Sequence, residues 1–518
     1  MIRFFRHDIE DPGHFVVTLE LVPGSESLVR TVDTVMGMAR EAYSDGRISA
    51  VSITDNPGGN PSLSPDVLGN EIFKLGMDVI VHFTCRDANR VGIESRALQL
   101  AMMGMKNILA LTGDYSGTGF GGQGAPVFDL DSTSLTCMLS MLSDRFDRDG
   151  DPEGFFTGCA VSPFKKTKGE CHAQYAKLCK KIAAGAQFVI TQLGYDVQKF
   201  QELLLMEDRL GIRQPTLGSL YYLTPRIARI MNGVKIPGAV VTDGLIRKVE
   251  KEWTTPAEGR KAAIERSAKL GAILKGIGYR GIHIGGIQKN FDTVGKILDR
   301  MGEIEKDWKD FIPEFEFPQP GGFYFFSRHP ESGLSDGKPN ETEPEPAPTR
   351  KNLFNLMRDA HSLFFSFDSP IAGLMEKFCR WADKSRFGGI LVSLVEDPTK
   401  KLFLDCLKCG DCGIVHVAFL CPESQCPKHI RNGACGGSYN GRCEVYPDRR
   451  CIWYRAFNRL ATCGETGEMR KGCIPPRMWE LNDTSSWVNF HLRRDHQGAA
   501  TEITRFCSAV SCRIENNG

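Results

Sequence analysis

The chain has 518 residues, 41% of them hydrophobic and 25% charged, with 18 cysteines. That length allows two or three domains with ample core, and a formal net charge of +1 gives no support for nucleic-acid or general membrane-surface binding. No stretch approaches 18 consecutive apolar residues, and the N-terminal MIRFFRHDIEDPGHF lacks the apolar centre of a signal peptide, so a cytoplasmic location without a membrane span is expected. Thiols stay reduced there, which turns the cysteines toward metal ligation rather than disulfides.

In chain order, short β-branched runs alternate with longer helical patterns, the mark of βα units feeding a parallel sheet. The predicted strands are Phe15–Leu21, Ala50–Thr54, Asp78–Thr84, Asn107–Leu111, Gly158–Ser162, Gln187–Gln192, Thr216–Leu220 and Gly281–Gly285. Between them, Val29–Ala42, Gly92–Met105, Cys171–Ala184 and Pro256–Ile277 carry apolar residues at three- and four-residue spacing and read as helices. Eight strands in roughly 290 residues match one (β/α)8 TIM barrel, a fold of about 250 residues; a doubly wound open sheet is the rival. The strand ends favour the barrel, whose catalytic groups gather at the C-terminal ends of its strands. Here those ends carry Glu20, Thr54 with Asp55, His82 with Thr84, Asp114, Ser162, Gln192 and Tyr221.

The barrel pattern fades after about Arg300, so residues 1–310 are taken as the catalytic barrel. A linker rich in Pro and Glu follows at 311–350, although Phe323, Tyr324, Phe325 and Phe326 imply that its first part packs on something. A smaller, cysteine-rich α+β metal-binding domain takes 351–518, with helices predicted at Asn352–Phe364 and Pro370–Lys384 and a strand at Gly389–Val395.

Glu20 ends an otherwise apolar strand, so burial is expected to raise its pKa and let it donate a proton near neutral pH; a salt-bridged structural carboxylate is the bland alternative. Asp114 opens a loop with six glycines between Gly113 and Gly124, which lets backbone approach a ligand or simply moves at the surface. His82 alone reads as a satisfied core histidine. Lys166 and Lys181 could hold a phosphate or be solvated charges. The glycines Gly117, Gly119 and Gly122 lack the βαβ frame of a dinucleotide turn.

Between Cys406 and Cys451 the spacing is C-x2-C-x2-C-x8-C-x4-C-x8-C-x7-C-x7-C, through Cys409, Cys412, Cys421, Cys426, Cys435 and Cys443. Eight thiolates suit two four-coordinate centres. Zinc there would be structural; iron–sulfur clusters would carry electrons. The compact start and the pairs Cys421-Pro422 and Cys426-Pro427 look like bacterial ferredoxins, but the x8 gap departs from them. Cys463 and Cys473 could substitute as ligands. Cys507 and Cys512 carry no assigned role, and Cys85, Cys137, Cys159, Cys171 and Cys179 read as small core residues.

Phe15–Arg300 resembles the methylenetetrahydrofolate reductase family in five ordered motifs: Thr18-Leu19-Glu20, Val51-Ser52-Ile53-Thr54, His82-Phe83-Thr84-Cys85, Leu109 to Asp114, and Ala184 to Gln192. The resemblance implies FMN, or FAD in its place, lined by Thr54, His82, Asp114, Ala160, Lys166, Lys181 and Ala186, with the lysines nearest the phosphate. It implies folate facing Glu20, Asp114, Gln192 and Tyr221, with Glu20 and Asp114 catalytic in the exchange of 5,10-methylenetetrahydrofolate and 5-methyltetrahydrofolate. Three positions depart: Thr112 stands where the family has Arg, Ser162 where Tyr is common, and Leu220–Pro225 lacks the phenylalanine on which nicotinamide packs. Direct oxidation of NADH is put in doubt by these more than flavin or folate is.

Cys406–Trp453, with Asn432-Gly433-Ala434-Cys435-Gly436-Gly437, resembles the small cysteine-rich partner subunit of the acetogen-type reductase. That implies one or two [4Fe–4S] clusters, zinc being the alternative metal, and electrons from ferredoxin or a larger redox complex. A homo-oligomer is expected. The rival functions are a pterin-dependent methyltransferase with structural zinc and a non-catalytic assembly subunit.

Overall fold

A computed structural model of the chain describes residues 4–24, 28–151, 153–233, 236–340 and 351–516. Eight strands close into one parallel barrel: β1 (Val16–Leu21), β2 (Ala50–Ile53), β3 (Val79–Thr84), β4 (Asn107–Leu111), β5 (Phe156–Val161), β6 (Phe188–Thr191), β7 (Thr216–Tyr221) and β8 (Gly281–Gly285). Each pairs with its sequence neighbours, and β1 closes the ring against β8, Val16 opposite Gly281. The barrel, not the open sheet, is the fold.

Side chains alternate in and out along a strand, and that period sorts the barrel into layers. Val17, Leu19 and Leu21 point outward into the large core beneath the helices. Val16, Ala50, Ile80, Leu109, Phe156, Phe188, Ile190 and Leu217 point inward and form a separate apolar floor. The short helix Phe5–Glu10 plugs that floor with Phe5 and Ile9, and the Phe5 ring meets Phe188 edge-on with centroids 5.2 Å apart. Apolar residues thus fill the base of the barrel, and inward positions nearer the strand C-termini are free to be polar.

Part of the stretch that reads as linker is ordered against the barrel. Lys199 donates to the Phe323 carbonyl at 2.6 Å, Tyr324 to Asp196 at 2.5 Å, and the Phe325 amide to Glu202 at 2.5 Å. Residues 341–350 of that linker lie outside the described residues.

From 351 onward the described residues hold helices, short turns and only isolated bridges, Tyr439 to Arg442 and Arg442 to Arg450. Lys351–Phe364 and Ala372–Lys384 are helical, close to expectation. The predicted strand at Gly389–Val395 is instead the middle of the helix Arg386–Leu404. Ile390, Val392 and Leu394 alternate as they would in a strand, but the face that is buried repeats every fourth residue: Gly388, Val392, Glu396, Lys400, Leu404. Ser385 caps the helix by accepting from the Gly388 amide at 3.2 Å.

This region is laid on the barrel. The helix Ile452–Ala461 packs on the barrel helix Lys168–Ala183, where the Phe457 ring stacks on His172 at 4.8 Å. A Cβ on Gly169 would come within 2.7 Å of Phe457, so only glycine permits this approach. The helix Glu502–Asn516 packs on the same barrel helix.

Candidate active site at the barrel mouth

Above the apolar floor lies a cavity of about 330 Å³, within the usual range for small-molecule sites of roughly 300–1,000 Å³. The inward phase of each strand supplies it: Glu20 two residues above Thr18, His82 above Ile80, Ala160 and Ile190 on β5 and β6, Ser219 and Tyr221 on β7, His283 on β8. Thr54, Asp114, Lys181 and Gln192 complete the set of predicted residues that share this wall. Two predicted cofactor residues are elsewhere. Ala186 precedes β6 and is buried at the opposite end of the barrel, and Lys166 follows β5 without lining the cavity.

Glu20 behaves differently from expectation. Burial does push its carboxyl upward, but the neighbouring His283 ring, with His82 adding to it, outweighs this and leaves the pKa below its ordinary value. His283 Nε2 lies 3.9 Å from Glu20 Oε2, and its Nδ1 meets Thr18 Oγ1 at 2.8 Å. Ligand-capable atoms of Glu20, His82 and His283 lie within 4.8 Å of one another. Burial lowers His82 to about 4, so it is a neutral imidazole, and its Nε2 has no partner. Sequence reading missed His283. The available signal was its phase: a polar residue flanked by outward Ile282 and Ile284 in a strand otherwise too apolar to tolerate it.

Asp114 takes the other direction. Burial raises its carboxyl, partly offset by the charge of Lys428, while the Gly58 amide donates to Oδ2 at 3.1 Å. Gly113 before it adopts φ +90°, and a Cβ there would sit 3.0 Å from Thr84. Thr112 exchanges hydrogen bonds with Ser132 at 3.2 Å, tying the end of β4 to the start of the helix Ser132–Arg148. Gln192 is held by donation to Pro237 O at 3.2 Å and acceptance from the Leu193 amide at 2.9 Å. Lys181 donates to Ala160 O, and burial brings it down to about 8. Tyr221 is pushed up to about 12, also by burial.

The roof of this cavity is the cysteine-rich segment. Lys428, Ala434, Cys435, Gly436, Gly437 and Glu444 all line it. Lys165 donates to the carbonyls of Gly436 and of Ser438, the latter at 2.6 Å; Gln174 donates to Cys435 O at 2.8 Å and Lys177 to Gly433 O at 3.3 Å. From the other side Lys428 donates to Gly113 O at 2.8 Å and pairs with buried Glu444. Burial would raise the Glu444 carboxyl, but Lys428 brings it below the ordinary range. The glycines of the Asn432–Gly437 motif explain themselves here. Gly433 adopts φ +120° against the Lys177 side chain, and a Cβ on Gly437 would overlap the Glu444 carboxylate.

The eight cysteines fall into two groups. Cys406, Cys409, Cys412 and Cys421 line one small cavity beside the helix Arg386–Leu404. The second group is Cys426, Cys435, Cys443 and Cys451, with Cys426 and Cys435 near Cys451 and Cys443 near Cys426, close enough for thiolates there to repel one another. Burial raises the thiols of Cys406, Cys426 and Cys451, and those of Cys409 and Cys435 to about 12 and Cys421 to about 11. No three of the eight sulfurs lie within 4.8 Å of one another. Cys435 belongs both to this group and to the wall of the barrel cavity.

A parallel (β/α)8 barrel with a polar chamber at its strand C-termini, roofed by a cysteine-rich segment, is the class of protein defined here. The chain belongs to the methylenetetrahydrofolate reductase family: the family of that description matches residues 6–302, and a second, "Methylene-tetrahydrofolate reductase C terminal", matches 391–480. A Caenorhabditis elegans protein named probable methylenetetrahydrofolate reductase (NADPH) is 27% identical over 215 residues, covering 39% of this chain and 31% of that one. Methylenetetrahydrofolate reductase 1 of Schizosaccharomyces pombe is 26% identical over 270 residues, 51% of this chain and 42% of that one. The chain thus spans less than half the length of these curated relatives. A solved structure, an uncharacterised Clostridium thermocellum protein described as binding two copies of 5-methyl-5,6,7,8-tetrahydrofolic acid, aligns at TM-score 0.40 and 12% identity over 58% of this chain and 99% of that chain.

Proposed function

We propose that this chain catalyses the flavin-dependent interconversion of 5,10-methylenetetrahydrofolate and 5-methyltetrahydrofolate, with electrons delivered through its cysteine-rich segment. One observation carries the reading: Cys435, of the second cysteine group, shares a chamber with Glu20 and Asp114.

The chamber suits a flavin, FMN or FAD. Thr54 Oγ1, His82 Nε2 and Ser162 Oγ are buried without a protein partner, which is costly unless a ligand satisfies them. Arg86, Lys177 and Lys181 add positive charge for a phosphate, and Leu109, Leu111 and Ile190 supply apolar wall. A flavin bound there would supply the hydride chemistry that reduces the one-carbon unit. The chain's own part is protons, charge and position. Opening the methylene bridge needs a proton on the departing nitrogen and leaves a cationic iminium. Glu20 faces the chamber with His283 beside it, so a proton held by this pair reaches nitrogen through the Glu20 carboxyl. Asp114 opposes the developing cation, and Gln192 and Tyr221 orient the pterin.

The spacing of the eight sulfurs supports iron–sulfur clusters over zinc. A tetrahedral zinc–thiolate centre with Zn–S of about 2.3 Å needs sulfurs about 3.8 Å apart, whereas no three of these eight approach within 4.8 Å. Two [4Fe–4S] clusters would carry electrons to the chamber wall. Ferredoxin or a larger redox complex is then the donor we favour over NADH.

The test is an anaerobic assay of methyltetrahydrofolate oxidation with a viologen dye beside one with NADH. Flavin bands, a broad absorbance near ~400 nm and dye-linked turnover are expected. A colourless zinc protein without turnover would point to the methyltransferase or the assembly subunit.

A further inference from the structure

A third group of cysteines lies outside both of the above. Cys137 on the barrel helix Ser132–Arg148, Cys473 in the loop after Thr466–Arg470, and Cys507 on the helix Glu502–Asn516 converge in the interior. Cys137 Sγ lies 3.9 Å from Cys473 Sγ, which lies 3.6 Å from Cys507 Sγ, and all three sulfurs are within 4.8 Å of one another. We infer that Cys137, Cys473 and Cys507 form a zinc-type metal site that pins the C-terminal segment to the barrel.

Distance selects the kind of metal. Zinc–thiolate bonds of about 2.3 Å in a tetrahedron put sulfurs about 3.8 Å apart, and the two separations here bracket that value. A disulfide requires sulfurs about 2.05 Å apart, which these are not. A cubane cluster needs its thiolates farther apart than a single ion does.

The site is also held in place. Asn432 clamps the chain next to Cys473, accepting from the Ile474 amide at 2.7 Å and donating to its carbonyl at 2.9 Å. The Asn432 amide donates at 3.0 Å to Asp131, the residue that caps the helix carrying Cys137. Ser511, one turn along the helix from Cys507, accepts from the Cys473 amide at 2.8 Å. The three thiols are therefore positioned by a continuous set of hydrogen bonds that does not involve the sulfurs. Charge closes the argument. Three thiolates and a dication carry one net negative charge, and Lys180, wholly buried nearby, supplies the compensating positive one. The fourth corner of the tetrahedron takes a nitrogen or oxygen ligand, because no fourth cysteine joins the group among the described residues.

The experiment uses the full chain purified under reducing conditions without added zinc, then titrated with zinc ions alone. We expect about one tightly held zinc per chain by elemental analysis and an X-ray absorption shell of three sulfurs with one lighter atom. Cys137→Ser should remove that equivalent while leaving iron and flavin contents as in the unsubstituted chain. A wild-type protein that neither carries nor takes up zinc overturns the assignment, as does a four-sulfur shell. So does zinc fully retained in Cys137→Ser, or a Cys473–Cys507 disulfide found by mass spectrometry. The wild-type measurement decides the matter even if the variant fails to fold, and none of these outcomes depends on the folate reading.

Discussion

The barrel and its roof are built by opposite means. Eight laddered strands and two apolar clusters hold the barrel, so Glu20, His82 and His283 stand in place before any ligand arrives. The cysteine-rich segment has no ladder. Buried ion pairs such as Asp411 with Arg431 and Lys428 with Glu444, a modest apolar cluster, and thiols raised by burial take its place. Such a region takes its order from buried ion pairs and from the surface it lies on, with any ligated metal adding to it, and the two regions should therefore fail separately.

Stripping metal should have the largest effect. A structural zinc–thiolate site supplies about 10–16 kcal/mol of apparent binding free energy, and loss of thiolate-bound clusters should matter on a comparable scale. Chelation under reducing conditions is accordingly expected to open residues 406–451 to limited proteolysis while the barrel keeps its far-ultraviolet dichroism. Simultaneous loss of both would break the comparison. Next comes Glu20→Gln, which should lower folate turnover by about 10²–10⁴-fold with flavin content and protease resistance of the roof unchanged. Normal turnover would remove Glu20 from its role. Lys428→Met leaves Glu444 buried without its partner, at an expected cost of about 3–5 kcal/mol. Denaturant unfolding followed by probes in each region should show that loss in the roof alone.

The last effect, in the pH dependence of stability, belongs to the barrel. Glu207, buried and accepting from Thr216 at 2.9 Å, is pushed by burial up to about 8. The folded state then binds a proton that the unfolded chain has released, so this contribution is present in full below pH ~4.3 and falls as pH rises toward 8, by at most ~1.4 kcal/mol per unit. Glu207→Gln should flatten that part of the melting-temperature profile between pH 5 and 8. An unchanged slope would show that Glu207 is not its source.

The barrel was legible because strand period, strand number and polar strand ends all point one way. Glu20 and Asp114 follow from their positions, whereas the depressed Glu20 pKa does not, because it depends on His283, 263 residues away. The motif match at Ala186 marks a strand start rather than a strand end, which is why it sits at the far side. For the C-terminal region, cysteine spacing announced metal chemistry but not how the segment lies. Nothing local marks Gly436 as the acceptor for Lys165, or Cys137 as a neighbour of Cys507. The helix Arg386–Leu404 was misread because its outward face, with Phe387, Ile390, Leu394 and Leu402, is as apolar as its inward one.

The carbonyls that Lys165, Gln174 and Lys177 grasp belong to one glycine-rich turn. Cutting the protein after residue 340 would leave those three donors reaching into solvent and flood the chamber from above. A truncated barrel would keep its strands yet lose the cover over Glu20 and Asp114, so the chamber exists only when both halves are made together.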